Sequence, residues 1–113
     1  MKLSAKEADR ITIISVEGNV MGGPDASALN EMLHKLTEKR KKRIILDLSG
    51  VRKMNSSGLG MLIGALTSVK NAGGELKVAA ASKKIESLLV ITKLSTIFDL
   101  YPTVKQAVKS FDE

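Results

Sequence analysis

Two hydrophobic periods alternate along the chain. Ile44-Ile45-Leu46, continued by Leu48, form a compact apolar run, β-branched at its start and closed by Ser49-Gly50. Such a run reads as a buried strand. Polar and loop residues follow up to Asn55. From Ser57 the spacing changes, and Leu59, Leu62, Ile63, Leu66 and Val69 recur three and four residues apart. That period puts them on one face of a helix. The tetrapeptide Asn55-Ser56-Ser57-Gly58 joins the two elements.

Upstream, Leu3 to Asp9 alternates weakly and reads as a short edge strand. Arg10 to Glu17 alternates better, through Ile11, Ile13 and Val16. The two form an antiparallel hairpin turning near Ala8 to Arg10. Gly18-Asn19 loosens the chain, and Gly22-Gly23-Pro24-Asp25 is a breaker cluster. Pro24 suits a helix start, where its missing N–H costs nothing. Ala26, Leu29, Met32, Leu33 and Leu36 then mark an amphipathic helix running to Arg40.

Downstream, Asn71-Ala72-Gly73-Gly74 stops the second helix. Glu75 to Ala81, with Leu76, Val78 and Ala80, is a third core strand. Ser82 resembles an N-cap for a short helix through Ile85, Leu88, Leu89 and Thr92 to Lys93. Thr96 to Leu100 reads as a last short strand. Tyr101-Pro102-Thr103 opens a C-terminal helix carrying Val104, Ala107, Val108 and Phe111. Strands alternating with helices imply parallel pairing through right-handed crossovers. The expected fold is an α/β sandwich: a mixed sheet of four or five strands, an antiparallel N-terminal edge and about four helices.

At 113 residues the chain suggests a single domain, residues 1–113. With 43% hydrophobic and 27% charged residues it belongs with soluble globular chains. Aromatic content of 3% leaves few platforms for base stacking. There is no Cys, so disulfides and thiolate metal sites are excluded. No apolar run approaches the ~20 residues of a bilayer span. Met1 to Arg10 lacks a signal-peptide core, and a cytoplasmic location is expected without membrane insertion.

The net charge of +6 raises the question of nucleic acid. Much of the excess lies in Lys39-Arg40-Lys41-Lys42-Arg43, at the expected end of the first helix, where the dipole favours cations. No RNA-binding aromatic motif or zinc-finger spacing accompanies it. The run reads as a solvated helix end, and nucleic acid is not an expected partner.

Enzymatic motifs fail residue by residue. Gly58-Leu59-Gly60 opens a helix, but Ile63 stands where a dinucleotide loop has its third glycine. Met54 stands where a nucleophile elbow around Ser56 needs glycine. His34, the one histidine, lies on the first helix and cannot found a metal site alone. No carboxylate pair is poised for acid–base work. No enzyme and no cofactor are expected.

The tetrapeptide remains. Ser56 or Ser57 can serve as the N-cap of the second helix. Gly58 and Gly60 leave that helix start unshielded, open to another protein. A phosphate on Ser56 would be tolerated there, since helix N–H groups and the dipole favour an anion. It would add about −1.5 to −2 charge to the surface.

These residues carry a resemblance. LDLSGVRKMNSSGLGMLIG, within Ile44 to Gly64, resembles the STAS domain of bacterial anti-sigma factor antagonists, where a strand is followed by D-S-[ST]-G-L-G opening a helix. Glu17-Gly18, Gly73-Gly74 and Phe98-Asp99-Leu100-Tyr101-Pro102 extend the likeness over nearly the whole chain. The resemblance implies a phosphorylation switch. The unphosphorylated antagonist binds an anti-sigma factor that is a serine kinase, and the sigma factor is released. Phosphorylation ends that binding, and a PP2C-type phosphatase restores the serine. By motif position the acceptor is Ser56, with Ser57 the second candidate. The implied partner surface comprises Met21, Gly22, Asn55, Ser56, Ser57, Gly58 and Leu59.

The chain departs from that pattern twice. Asn55 replaces the usual Asp, and Gly18-Asn19-Val20-Met21 replaces an element that often ends in Asp. Both positions lie near the implied partner surface, which is therefore short of two charges. STAS-like domains also act as constitutive adaptor subunits, for example in membrane lipid-transport complexes. That alternative needs no phosphorylation.

Overall fold

Five strands form one sheet in sequential order, and that order decides where every helix lies. The structure, a computed structural model, describes residues 1–112. Strands β1 (Lys2–Ala8) and β2 (Ile11–Val20) pair antiparallel; β3 (Arg43–Met54), β4 (Glu75–Ala79) and β5 (Asp99–Tyr101) add parallel to β2 in turn. Helices α1 (Pro24–Glu38), α2 (Ser56–Asn71) and α3 (Lys83–Ile91) are the crossovers. Right-handed crossovers in a sheet that grows in one direction all fall on the same face. A fourth helix, α4 (Val104–Ser110), packs on the other face. The expected mixed sheet, antiparallel edge and four helices are all present.

Burial follows this layering. Ile14, Val16, Ile44, Leu46, Leu48 and Val78 point to the crossover helices and meet Leu29, Leu33, Leu62, Val69, Ile85 and Leu89. Ile11, Ile13, Ile45 and Ala79 point the other way and meet Ala107 and Phe111. A strand covered on both faces needs no alternation, which is why Ile44 to Leu46 is an unbroken apolar run and why Ile11 to Ile14 are all buried, Thr12 included.

Several element limits differ from expectation. β2 does not loosen at Gly18-Asn19 but runs to Val20, and β3 does not stop at Ser49-Gly50 but runs to Met54. Two register shifts, between Ser15 and Glu17 and between Gly18 and Asn19, let the pair absorb Gly18 and Gly50 and continue to Val20↔Met54. Such bulges bend a strand without ending it. Helix α1 stops at Glu38, and Arg40 takes a left-handed turn, so the basic run forms the α1–β3 turn and the start of β3. The segment read as a strand from Thr96 begins with a 3-10 turn, Leu94–Thr96, and β5 is three residues long. β4 ends at Ala79. His34 is an exposed helix residue, 2.9 Å from the Glu38 carboxylate.

Candidate functional site

The extended β2–β3 pair delivers two chain ends to the same place. Val20 closes β2 and leads into Met21-Gly22-Gly23; Met54 closes β3 and leads into Asn55. The Asn55 N–H donates to the Val20 carbonyl at 3.4 Å, so the strand ladder runs into the start of α2.

Asn55, not a serine, is the N-cap of α2. Its backbone is extended, and its side-chain oxygen accepts from the Gly58 N–H at 2.8 Å. This corrects the expectation that Ser56 or Ser57 caps the helix. Asn accepts such a bond as well as Ser does and tolerates the non-helical backbone. The correction bears on function, because the Ser56 hydroxyl is not consumed by capping. Ser56 is the first helical residue. The N–H groups of Ser56 and Ser57 have no intrahelical acceptor, and no carboxylate stands in the first turn. Asn55, Ser56 and Ser57 are all exposed.

Gly58 has a different role from the one its sequence position suggested. It is buried, and a Cβ there would collide with the Val20 carbonyl. It therefore lets α2 seat against the end of β2. Gly60 is exposed, with no atom within 4 Å of a Cβ built on it. Of the implied partner residues, Met21 is 39% exposed, whereas Gly22, Gly58 and Leu59 are buried. Gly22 packs beside Ser57. Ser57 thus has the β2–α1 turn as its neighbour.

Sequence reading missed the surroundings of the turn. Lys53 and Met54, expected in the loop, end β3 and border a groove shared with α3. Two exposed residues of α3, Val90 at 56% and Ile91 at 77%, were also passed over. Their signal was a pair of apolar residues outside the buried stripe of Ile85 and Leu89. Among the described residues, no group of His, Asp or Glu could hold a metal ion. Among the described residues, no helix is long and apolar enough to cross a membrane.

The five-stranded mixed sheet, three crossover helices on one face and a capped helix start at the end of the central strand are the arrangement that the STAS resemblance implies. The STAS domain family model matches residues 2–107, and the chain belongs to that family. The anti-sigma-B factor antagonist of Bacillus subtilis is 35% identical over 88 residues, covering 75% of this chain and 80% of that protein. The chain covers 59% of the length of two further relatives, Thermotoga proteins named as candidate anti-sigma factor antagonists. A solved candidate antagonist from Thermotoga maritima superposes with a TM-score of 0.87 at 23% identity, over 98% of this chain and 95% of that one. The Bacillus cell fate determinant SpoIIAA, solved in its phosphorylated form, gives a TM-score of 0.74 at 14% identity, over 97% and 99% of the two chains. The protein has the STAS fold of anti-sigma factor antagonists.

Proposed function

We propose that this chain is an anti-sigma factor antagonist whose partner is an anti-sigma factor of the serine-kinase type, and that phosphate on Ser56 breaks the complex. The unphosphorylated chain binds the kinase and frees its sigma factor. A PP2C-type phosphatase removes the phosphate and resets the cycle.

The observation that carries this reading is the division of labour at Asn55-Ser56. Asn55 holds the helix start, and Ser56 is left exposed with its hydroxyl outside the cap. A phosphate there meets two first-turn N–H groups and the positive end of the α2 dipole. The fold accepts the charge, and the partner has to face it. A phosphate of charge −2 within about 4 Å of one partner carboxylate costs about 2 kcal/mol even at the dielectric of water. A hundredfold loss of affinity needs about 2.7 kcal/mol, so local repulsion accounts for most of a switch without refolding.

The test is transfer of phosphate. The purified chain is incubated with ATP and each serine-kinase anti-sigma factor encoded in its source genome, and the product is mapped by mass spectrometry. One phosphate on Ser56, absent from Ser56→Ala, is the expected result. Phosphate on Ser57, or none with any kinase, counts against it. Ser56→Ala should keep kinase affinity and Ser56→Asp should lower it. The adaptor reading is favoured by one feature, the neutral Asn55 in place of a carboxylate beside the acceptor. It calls for co-purification with a transporter ATPase, indifferent to Ser56→Asp.

A further inference from the structure

The surface around Ser56 does not end at α2. Met21 and Met54, which flank the turn, and Leu88 and Ile91 of α3 line a groove of about 340 Å³. Lys53 and Lys84 complete its charged lining, and no carboxylate lines it among the described residues. The α3 carboxylate, Glu86, lines a separate cavity with Val78, Leu100 and Tyr101. Ile91 is 77% exposed and lies outside the buried stripe of Ile85 and Leu89. Methionine side chains are unbranched and adaptable, which suits a surface that accepts another protein's side chains.

We propose that this groove docks an amphipathic helix whose apolar face is flanked by Asp or Glu, contributed by the same protein that reads Ser56. Apolar anchors would fill the space between the two methionines and Ile91, and the acidic flanks would meet Lys53 and Lys84. A second copy of the chain fits badly, because each groove would face lysines across the contact and both copies carry +6. An anionic lipid surface would also meet the two lysines, and vesicle sedimentation distinguishes it from the helix. The partner's identity rests on the switch reading above; the groove's chemistry does not.

Methyl labelling tests it, because the chain has five methionines and the groove holds Met21 and Met54. The labelled protein is titrated with a helical peptide of leucine and glutamate, and separately with its leucine–lysine counterpart. The Met21 and Met54 signals should move with the glutamate peptide while Met1, Met32 and Met61 stay. Ile91→Asp should raise that peptide's Kd tenfold or more, and Lys84→Glu should raise it severalfold. Both side chains are exposed, so an unchanged denaturation midpoint checks that each variant is folded. No binding, equal binding of the lysine peptide, or movement elsewhere overturns the proposal. So does Ile91-dependent sedimentation with phosphatidylglycerol vesicles, or an Ile91-dependent dimer in analytical ultracentrifugation. A Ser56 that no kinase modifies leaves the peptide result standing, and the reverse holds equally.

Discussion

Gly22 packs directly against Ser57: a Cβ built on Gly22 would lie 2.8 Å from the Ser57 Cβ. Gly22 also has φ of +82°, in the left-handed region. The β2–α1 turn and the start of α2 are therefore fitted to each other at side-chain resolution. Gly22→Ala meets both obstacles. The backbone term costs about 1 kcal/mol and the overpacking about 1–3 kcal/mol. Urea denaturation should show a loss of about 2–4 kcal/mol. A loss under about 1 kcal/mol would mean that the turn is not held against Ser57.

Gly60 provides the opposite case in the same helix. It is helical and exposed, and space surrounds a Cβ built on it. Gly60→Ala should stabilise the protein by about 0.5–1 kcal/mol through reduced backbone entropy in the unfolded chain. If kinase-dependent phosphorylation of Ser56 slows while the denaturation midpoint rises, the bare position serves partner access. An unchanged rate assigns Gly60 no part in recognition.

Asn55→Asp restores the carboxylate usual in the family. Both side chains cap a helix, so the bond to the Gly58 N–H persists. The new charge sits at the positive end of α2 and should add about 0.3–1 kcal/mol of stability in the unphosphorylated protein. In the phosphorylated protein it stands beside a second anion, and the gain should shrink or reverse. Asn55→Ala should cost about 1 kcal/mol in either form. Thermal melts of the three proteins with and without phosphate check the pattern. An equal gain in both forms would place the phosphate away from the cap.

The alternation of strands and helices, the hairpin edge and the apolar face of α2 were legible in the sequence, because each rests on a local period. A short motif singled out Ser56, the acceptor proposed above. The sequence did not carry the length of β3, because Arg52 and Lys53 are polar and exposed while their backbone still belongs to the strand. Nor did it distinguish Asn55 from Ser56 as the cap, since propensity ranks the two alike and the contact with Val20 decides. The roles of Gly58 and Gly60 look identical in sequence. They separate once β2 is seen to end beside one and not the other.

Lys77 tests how α4 is held. It is only 6% exposed, its ammonium donates to the Ser110 hydroxyl at 2.6 Å and it lies 4.2 Å from the Phe111 ring centroid. Its stem packs under α4, and no carboxylate pairs with it among the described residues. Lys77→Met keeps the stem and removes a buried charge, so stability should change by less than about 1 kcal/mol or rise. Lys77→Ala removes the stem and should cost about 2–3 kcal/mol. Hydrogen exchange in α4 should rise in the alanine variant only. Equal losses in both variants would show that the ammonium, not the stem, secures the helix.

The electrostatic account of the switch also has a pH signature. Phosphoserine loses its second proton with a pKa near 6, so its charge grows from about −1 to −2 as pH rises. The helix N-terminus favours the more charged form, which moves that step below 6. Every other titrating group is common to the two forms and largely cancels in a ratio. The ratio of kinase affinities, unphosphorylated over phosphorylated, should therefore be larger at pH 7.5 than at pH 5 by severalfold. Isothermal titration at the two values measures it. A ratio independent of pH would mean that phosphate bulk, and not its charge, separates the partners.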